Sequence, residues 1–121
     1  MPYDFDPKLP IYLQMMDVIQ ERIFNGTYKA TEVMPSVRDL AGEFSVNPNT
    51  VQRAFRELED TGLIITRSTT GRTVTDDSEL IGRAKSKRSS KIIGKMIAEL
   101  DKIGVKKDEI LSLVEKEIDN Q

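Results

Sequence analysis

The segment SVNPNTVQRAFRELEDTGLI, Ser45 to Ile64, restricts the fold more than any other stretch of the chain. Asn47 followed by Pro48 is a helix start. An asparagine side chain accepts an unpaired N–H of the first turn, and proline, having no N–H, suits the first helical position. Val51, Ala54, Phe55 and Leu58 then recur at spacings of three and four, which puts them on one buried stripe. Gly62 ends the helix. Upstream, Pro35 precedes Ser36 and Asp39, a capping-box-like pair with Asp in place of Glu or Gln. Val37, Leu40, Ala41 and Phe44 form the next apolar stripe. Two short helices joined by a three- or four-residue turn, each with one apolar face, are a helix-turn-helix.

The flanking sequence extends this unit. A first helix begins near Pro10, carries Tyr12, Met15, Met16, Ile19 and Ile23 at helical spacing, and stops at Asn25-Gly26. TYKATEVM reads as a loop or a short strand. In LIITRSTTGRTVT, the β-rich runs Leu63–Thr66 and Arg72–Thr75 enclose a polar loop with Gly71, which predicts a β-hairpin. Three helices and a hairpin make a winged helix-turn-helix. After the turn Asp76-Asp77-Ser78, a long helix is expected over about Glu79 to Lys102. Gly104 breaks it, and a last helix runs near Lys107 to Asp119. The fold class is mainly α with a small β-hairpin: a winged helix-turn-helix domain over residues 1–75 and a two-helix tail over 76–121.

Composition removes several functions. There is no Cys and no His in 121 residues, so disulfides, thiolate or imidazole metal sites and imidazole acid–base chemistry are absent. No set of carboxylates has a spacing that suggests catalysis, and no Gly-rich phosphate loop or ligand box is visible. The expectation is a non-enzyme with no cofactor and no bound metal; no small-molecule effector can be named. The N-terminus MPYDFDPKLP has no apolar core and carries two Asp, unlike a signal peptide. No apolar run approaches the roughly 20 residues that span a bilayer. The cytoplasm, with no membrane partner, is the expected location.

The third helix raises the functional question. With its apolar stripe facing inward, Asn49, Gln52, Arg53 and Arg56 lie off the core face, and Thr50 sits beside the cap. Amides and guanidinium groups form bidentate bonds with base edges, and small hydroxyls bond phosphates. A helix N-terminus also attracts phosphate. The candidate DNA-binding residues are therefore Asn47, Pro48, Asn49, Thr50, Gln52 and Arg53, joined by Arg38 in the second helix and by Arg67, Gly71 and Arg72 around the hairpin tip. The plainer alternative is a cap at Asn47 and Pro48 and a solvated face beyond it. Arg38, likewise, either meets DNA or pairs with Asp39 or Glu43.

Met34 to Val74, MPSVRDLAGEFSVNPNTVQRAFRELEDTGLIITRSTTGRTV, closely resembles the DNA-binding module of the GntR family of bacterial transcription regulators. The family pattern runs Leu-Pro-Ser-x-Arg-x-Leu-Ala, Val-x-x-x-Thr-Val-x-x-Ala, Leu-x-x-x-Gly-Leu-Ile and a Gly-rich wing. With the first helix, the resemblance covers about Leu9 to Thr75. It implies a dimer that binds a palindromic operator in double-stranded DNA, and it places Arg38, Asn47, Pro48, Thr50, Gln52, Arg53 and Gly71 where family members touch DNA. Met34 replaces the usual Leu, and the wing STTGRTVT lacks the usual second glycine and aromatic residue. The short tail resembles the YtrA-like subfamily, which implies dimerisation, repression and control of an ABC transporter operon.

The tail supports the same expectation. Ile92, Ile93, Met96, Ile97, Leu100, Ile103, Ile110, Leu111, Val114 and Ile118 exceed what two helices can bury between themselves, and a second copy would cover them as an isologous homodimer interface. Ahead of them, Ile81 to Ile97 holds six cations and no acid, either a binding surface or a solvated face. The competing function is a winged-helix protein–protein module without sequence-specific DNA binding. Residues 1–76 support it with 8 cations against 11 anions. The cations at 38, 53, 56, 67 and 72, however, gather on the surface that would face DNA.

Overall fold

The computed structural model describes residues 4–67 and 71–121. Seven elements follow in order: α1 (Ile11–Phe24), α2 (Val37–Phe44), α3 (Pro48–Asp60), β1 (Ile64–Arg67), β2 (Gly71–Val74), α4 (Ser78–Lys102) and α5 (Lys107–Asp119). They form two compact units, Met1–Gly82 and Arg83–Gln121, so α4 begins in the first and ends in the second.

In the first unit, α3 is the central element and packs against α1, α2 and β1. Val51, Ala54, Phe55 and Leu58 of α3 are fully buried with Met15, Ile19, Leu40 and Phe44. Burying a large apolar side chain of this kind stabilises by about 1.5–3 kcal/mol, so these stripes hold the three helices together. On α1 the buried set is Met15, Val18, Ile19 and Ile23. Val18 takes the place expected for Met16, which lies at the margin of the stripe and is only half-buried.

Local chemistry sets the helix ends. Pro10 cannot cap α1 with a side chain. Gln14 ties the preceding segment to the helix: its Nε2 donates to the carbonyl of Asp6 at 2.8 Å, and its Oε1 accepts from the Asp6 N–H at 2.8 Å. Ser36 and Asp39 complete the expected capping box on α2. Ser45 closes α2 in the left-handed conformation, φ 55°, and the Val46 N–H returns to the carbonyl of Ala41 at 3.1 Å. One residue later, Asn47 Oδ1 accepts the Asn49 N–H at 2.8 Å and starts α3. At Gly62, φ is +84° and a Cβ would stand 3.0 Å from Leu80 Cδ2. Glycine is favoured there by conformation, and a Cβ would also crowd the end of the Leu80 side chain.

β1 and β2 pair antiparallel in the register Ile64↔Val74, Ile65↔Thr73, Thr66↔Arg72 and Arg67↔Gly71. Of the polar loop expected between Thr66 and Arg72, residues 68–70 lie outside the described residues, and Arg67 and Gly71 belong to the strands. Each strand is displaced by one residue from its expected bounds, because Leu63 and Thr75 are joined by a single bond beyond the ladder, Thr75 N–H to Leu63 O at 2.9 Å. The segment before α2 pairs with the other edge of β2. Thr31 N–H donates to Val74 O at 2.9 Å, and Met34 N–H to Arg72 O at 2.8 Å.

Arg22 secures the end of α1. Its guanidinium meets both carboxylate oxygens of Glu43, donates to the Tyr28 hydroxyl at 2.7 Å and lies 4.8 Å from the centroid of Phe44. The Arg22 hydrogen bond holds the Glu43 carboxyl below its ordinary range. The hydrogen bond it donates to Glu43 raises Arg22 against the opposing effect of burial. Burial pushes the Tyr28 phenol up, while Arg22 pulls it down.

In the second unit, the N–H groups of Gly104 and Val105 return to the carbonyls of Asp101 and Leu100, at 3.0 Å each, and end the long helix. Glu109 then accepts the Lys106 N–H at 3.1 Å and starts α5. Ile110 is buried, and Met96, Ile97, Leu100, Val105 and Val114 are half-buried. Ile92, Ile93, Ile103, Leu111, Leu113 and Ile118 are exposed.

Candidate nucleic-acid interface

The tip of α3 is built on two residues that set the start of the helix. Asn47 caps and Pro48 opens the helix. Once the cap has fixed where α3 begins, the buried stripe fixes its rotation. Asn49 and Arg53 come out exposed, Thr50 and Gln52 half-buried, and Arg56 exposed one turn on. Arg38 is exposed in the first turn of α2. Arg67 ends β1 opposite Gly71, and both are exposed.

These side chains divide by what they bond. Those of Arg38, Asn49, Thr50, Gln52, Arg53, Arg56 and Arg67 make no hydrogen bond or ion pair with a described residue. Neither Asp39 nor Glu43 pairs with Arg38. Asp39 accepts the Ser36 N–H, and Glu43 is held by Arg22. The hydrogen-bonding groups of these side chains are therefore unspent among the described residues, as a surface that bonds an external ligand requires. Asn47 and Arg72 differ. The Asn47 oxygen is used by the cap. The Arg72 Nε donates to Glu59 at 2.6 Å, and its guanidinium carbon lies 4.7 Å from the Phe55 centroid.

Arg53 has one partner that its sequence context did not reveal. Its guanidinium carbon lies 3.8 Å from the centroid of Tyr12, in the first turn of α1. In the sequence, Tyr12 is one more apolar position of α1; only the packing of α1 on α3 makes it a platform. The pairings of Arg22 with Glu43 and of Arg72 with Glu59 are equally invisible to local pattern, because they join residues 21 and 13 apart in the chain across different elements.

A capped helix-turn-helix followed by an antiparallel hairpin, with the polar side of α3 unspent, defines a winged helix-turn-helix regulator. The chain belongs to the GntR family of bacterial regulatory proteins, whose model matches residues 11–74. It is a transcriptional regulator, not an enzyme.

It is 32% identical over 111 residues to the uncharacterized HTH-type transcriptional regulator YhcF of Bacillus subtilis, 92% of each chain being covered. It is 37% identical over 76 residues to the HTH-type transcriptional repressor YtrA of the same organism, covering 61% of this chain and 58% of YtrA. Among solved structures, a GntR family transcriptional regulator from Listeria monocytogenes superposes with a TM-score of 0.85 at 38% identity, over 93% of this chain and 98% of that one. The AraR DNA-binding domain in complex with operator ORR3 superposes with a TM-score of 0.54 at 25% identity, over 62% of this chain and 90% of that one.

Among the described residues, no helix is long and apolar enough to cross a membrane.

Proposed function

We propose that this chain is a cytoplasmic, homodimeric transcriptional repressor that binds a two-fold-symmetric operator with α3 in the major groove. The observation that carries the proposal is the unspent polar side of α3. Gln52 and Arg53 stand on a helix whose rotation is fixed by a fully buried stripe, and neither side chain makes a hydrogen bond or ion pair with a described residue. Gln suits adenine and Arg suits guanine, each through a bidentate contact. Asn49 and Thr50 at the helix tip, with Arg38 on α2, are placed to hold phosphates and so set the register. Arg67 and Gly71 bring the base of the wing to the neighbouring backbone. Arg72 and Asn47 act as supports behind these contacts. The repressor YtrA among the relatives and the operator complex of AraR support this reading.

Dimerisation rests on the second unit, where Ile92, Ile93, Ile103, Leu111, Leu113 and Ile118 are exposed on two helices. A second copy covers them, and two modules spaced by about one turn of DNA read the two halves of one operator. Control of an ABC transporter operon belongs to the proposal through the resemblance of the short two-helix tail to the YtrA-like subfamily.

The test is selection of bound duplexes from a random pool by the purified chain at near-physiological salt. The expected result is enrichment of one two-fold motif whose half-sites lie about one helical turn apart. Weak, salt-sensitive binding without enrichment would overturn sequence-specific reading and favour a protein-binding winged helix.

A further inference from the structure

Three arginines among the described residues lie over aromatic rings, and they are not equivalent. Arg22 lies over Phe44 and Tyr28 and is paired with Glu43. Arg72 lies over Phe55 and is paired with Glu59. In both, a carboxylate pairs with the guanidinium above the ring and ties elements of the fold to one another. Arg53 lies nearest its ring, 3.8 Å from the centroid of Tyr12, and has no carboxylate. It is also the exposed one of the three.

Stacking uses the face of a guanidinium, whereas hydrogen bonds leave from its edge. A guanidinium lying on a ring with no carboxylate beside it is held in place while its N–H fork stays available. An unsupported arginine must lose rotamer freedom when it binds a base, which weakens the contact. Tyr12 is itself half-buried in the first turn of α1, and α1 packs on α3, so the platform is fixed by the core and not by the ligand.

We infer that Tyr12 is a specificity-determining positioning residue. It orients Arg53 before DNA arrives, so that the guanidinium edge meets the O6 and N7 acceptors of a guanine. The inference rests on the reading of α3 as the base-contacting helix. It assigns to α1, which supplies none of the residues proposed above to touch DNA, a share of base discrimination.

The test measures affinities of the full-length chain for its selected operator and for duplexes with each base pair of the half-site changed symmetrically. The proteins compared are the wild type, Arg53→Ala, Tyr12→Leu, Tyr12→Phe and the double variant Arg53→Ala/Tyr12→Leu. Arg53→Ala is expected to flatten the preference at one base pair. Tyr12→Leu is expected to lower discrimination about fivefold at that same pair and at no other, the scale of one cation–π contact. Tyr12→Phe, which keeps the ring, matches the wild type, and the double variant is no flatter than Arg53→Ala alone. Circular dichroism checks that each variant is folded. Should Tyr12→Leu not fold, Tyr12→Met takes its place as an unbranched filler of the same space.

Unchanged discrimination in Tyr12→Leu, or a uniform loss across all duplexes, would overturn the inference. Equal loss in Tyr12→Phe would assign the effect to the hydroxyl and overturn it as well. If Arg53→Ala flattens no pair while the wild type remains selective, Arg53 reads no base; the inference falls and the operator reading stands. A wild type without any preference would end both.

Discussion

The Nε of Arg72 donates to Oε1 of Glu59 at 2.6 Å, tying the second strand of the wing to the last turns of α3. The side chains are only 21% and 26% exposed, and Phe55 lies beneath the guanidinium. A charge-assisted bond in such a position is worth more than a surface pair, and removing one partner leaves the other partly buried and unpaired. Arg72→Ala is therefore expected to cost about 2 kcal/mol. In a domain of this size each kcal/mol lowers Tm by roughly 4–8 °C, which calorimetry will resolve. Because Arg72 is read as a support, the salt dependence of DNA binding should keep its slope in this variant. An unchanged Tm with a shallower salt slope would make Arg72 a phosphate contact instead.

Arg22 and Glu43 make stability pH-dependent at the acid end. The folded-state pKa of Glu43 is depressed by the Arg22 hydrogen bond from an ordinary 4.5. Its contribution is complete above that value and is lost as pH falls through the lower folded value. Tyr28 acts in the opposite sense. Burial raises its pKa above 10.0, so its contribution is complete below pH 10 and is lost as pH rises through the raised value. Glu43→Gln should lower stability at pH 7 by less than about 1 kcal/mol, since an ion pair this exposed is screened by solvent. It should also flatten the decline of Tm below pH 4.5. Thermal unfolding of both proteins from pH 3 to pH 7 checks this, and parallel curves would show that Glu43 does not contribute to the acid transition.

Thr73 presents the opposite case, a polar group that the fold does not use. It is 6% exposed, and its hydroxyl is the one buried side-chain polar atom without a partner among the described residues. A buried hydroxyl left unbonded costs about 1–3 kcal/mol. Valine has the same shape and favours strands. Thr73→Val should thus stabilise by about 1 kcal/mol, seen as a rise in the denaturation midpoint at constant m-value. A loss of stability would mean that the hydroxyl is hydrogen-bonded in solution.

The elements that could be read from the sequence are those whose limits are written in local chemistry. Asn47-Pro48, Ser36 with Asp39, and Gly62 set where α2 and α3 begin and end, and the stripes at three and four set which sides are buried. The same logic brought Gln52 and Arg53 to the surface. Met16 satisfies the helical spacing as well as Val18 does, and only the direction of the neighbouring helices decides between them. Tyr12 beneath Arg53, Glu59 beside Arg72 and Glu43 beside Arg22 depend on how helices and strands meet, for which no short-range pattern exists. The strands were displaced by one residue for a related reason. β propensity does not distinguish a residue in the ladder from Leu63, which is bonded just beyond it.

The exposed apolar residues of the second unit provide the last prediction. Ile93 is 51% exposed on α4, so a change there removes little packing within one chain. If a second copy covers this face, Ile93→Asp places a carboxylate in an apolar interface, where it lacks a partner and loses its hydration. The symmetry of an isologous contact repeats the fault in both subunits. Sedimentation equilibrium should then show the wild type at twice the chain mass of 13.7 kDa and the variant at or near the monomer mass. The variant monomer keeps the winged unit, since none of its core residues lies beyond Gly82. It should retain weak, salt-sensitive binding to a half-site and lose the tight binding that depends on two linked modules. A variant that remains dimeric would place the interface elsewhere. A wild type that sediments as a monomer would reject the homodimer itself.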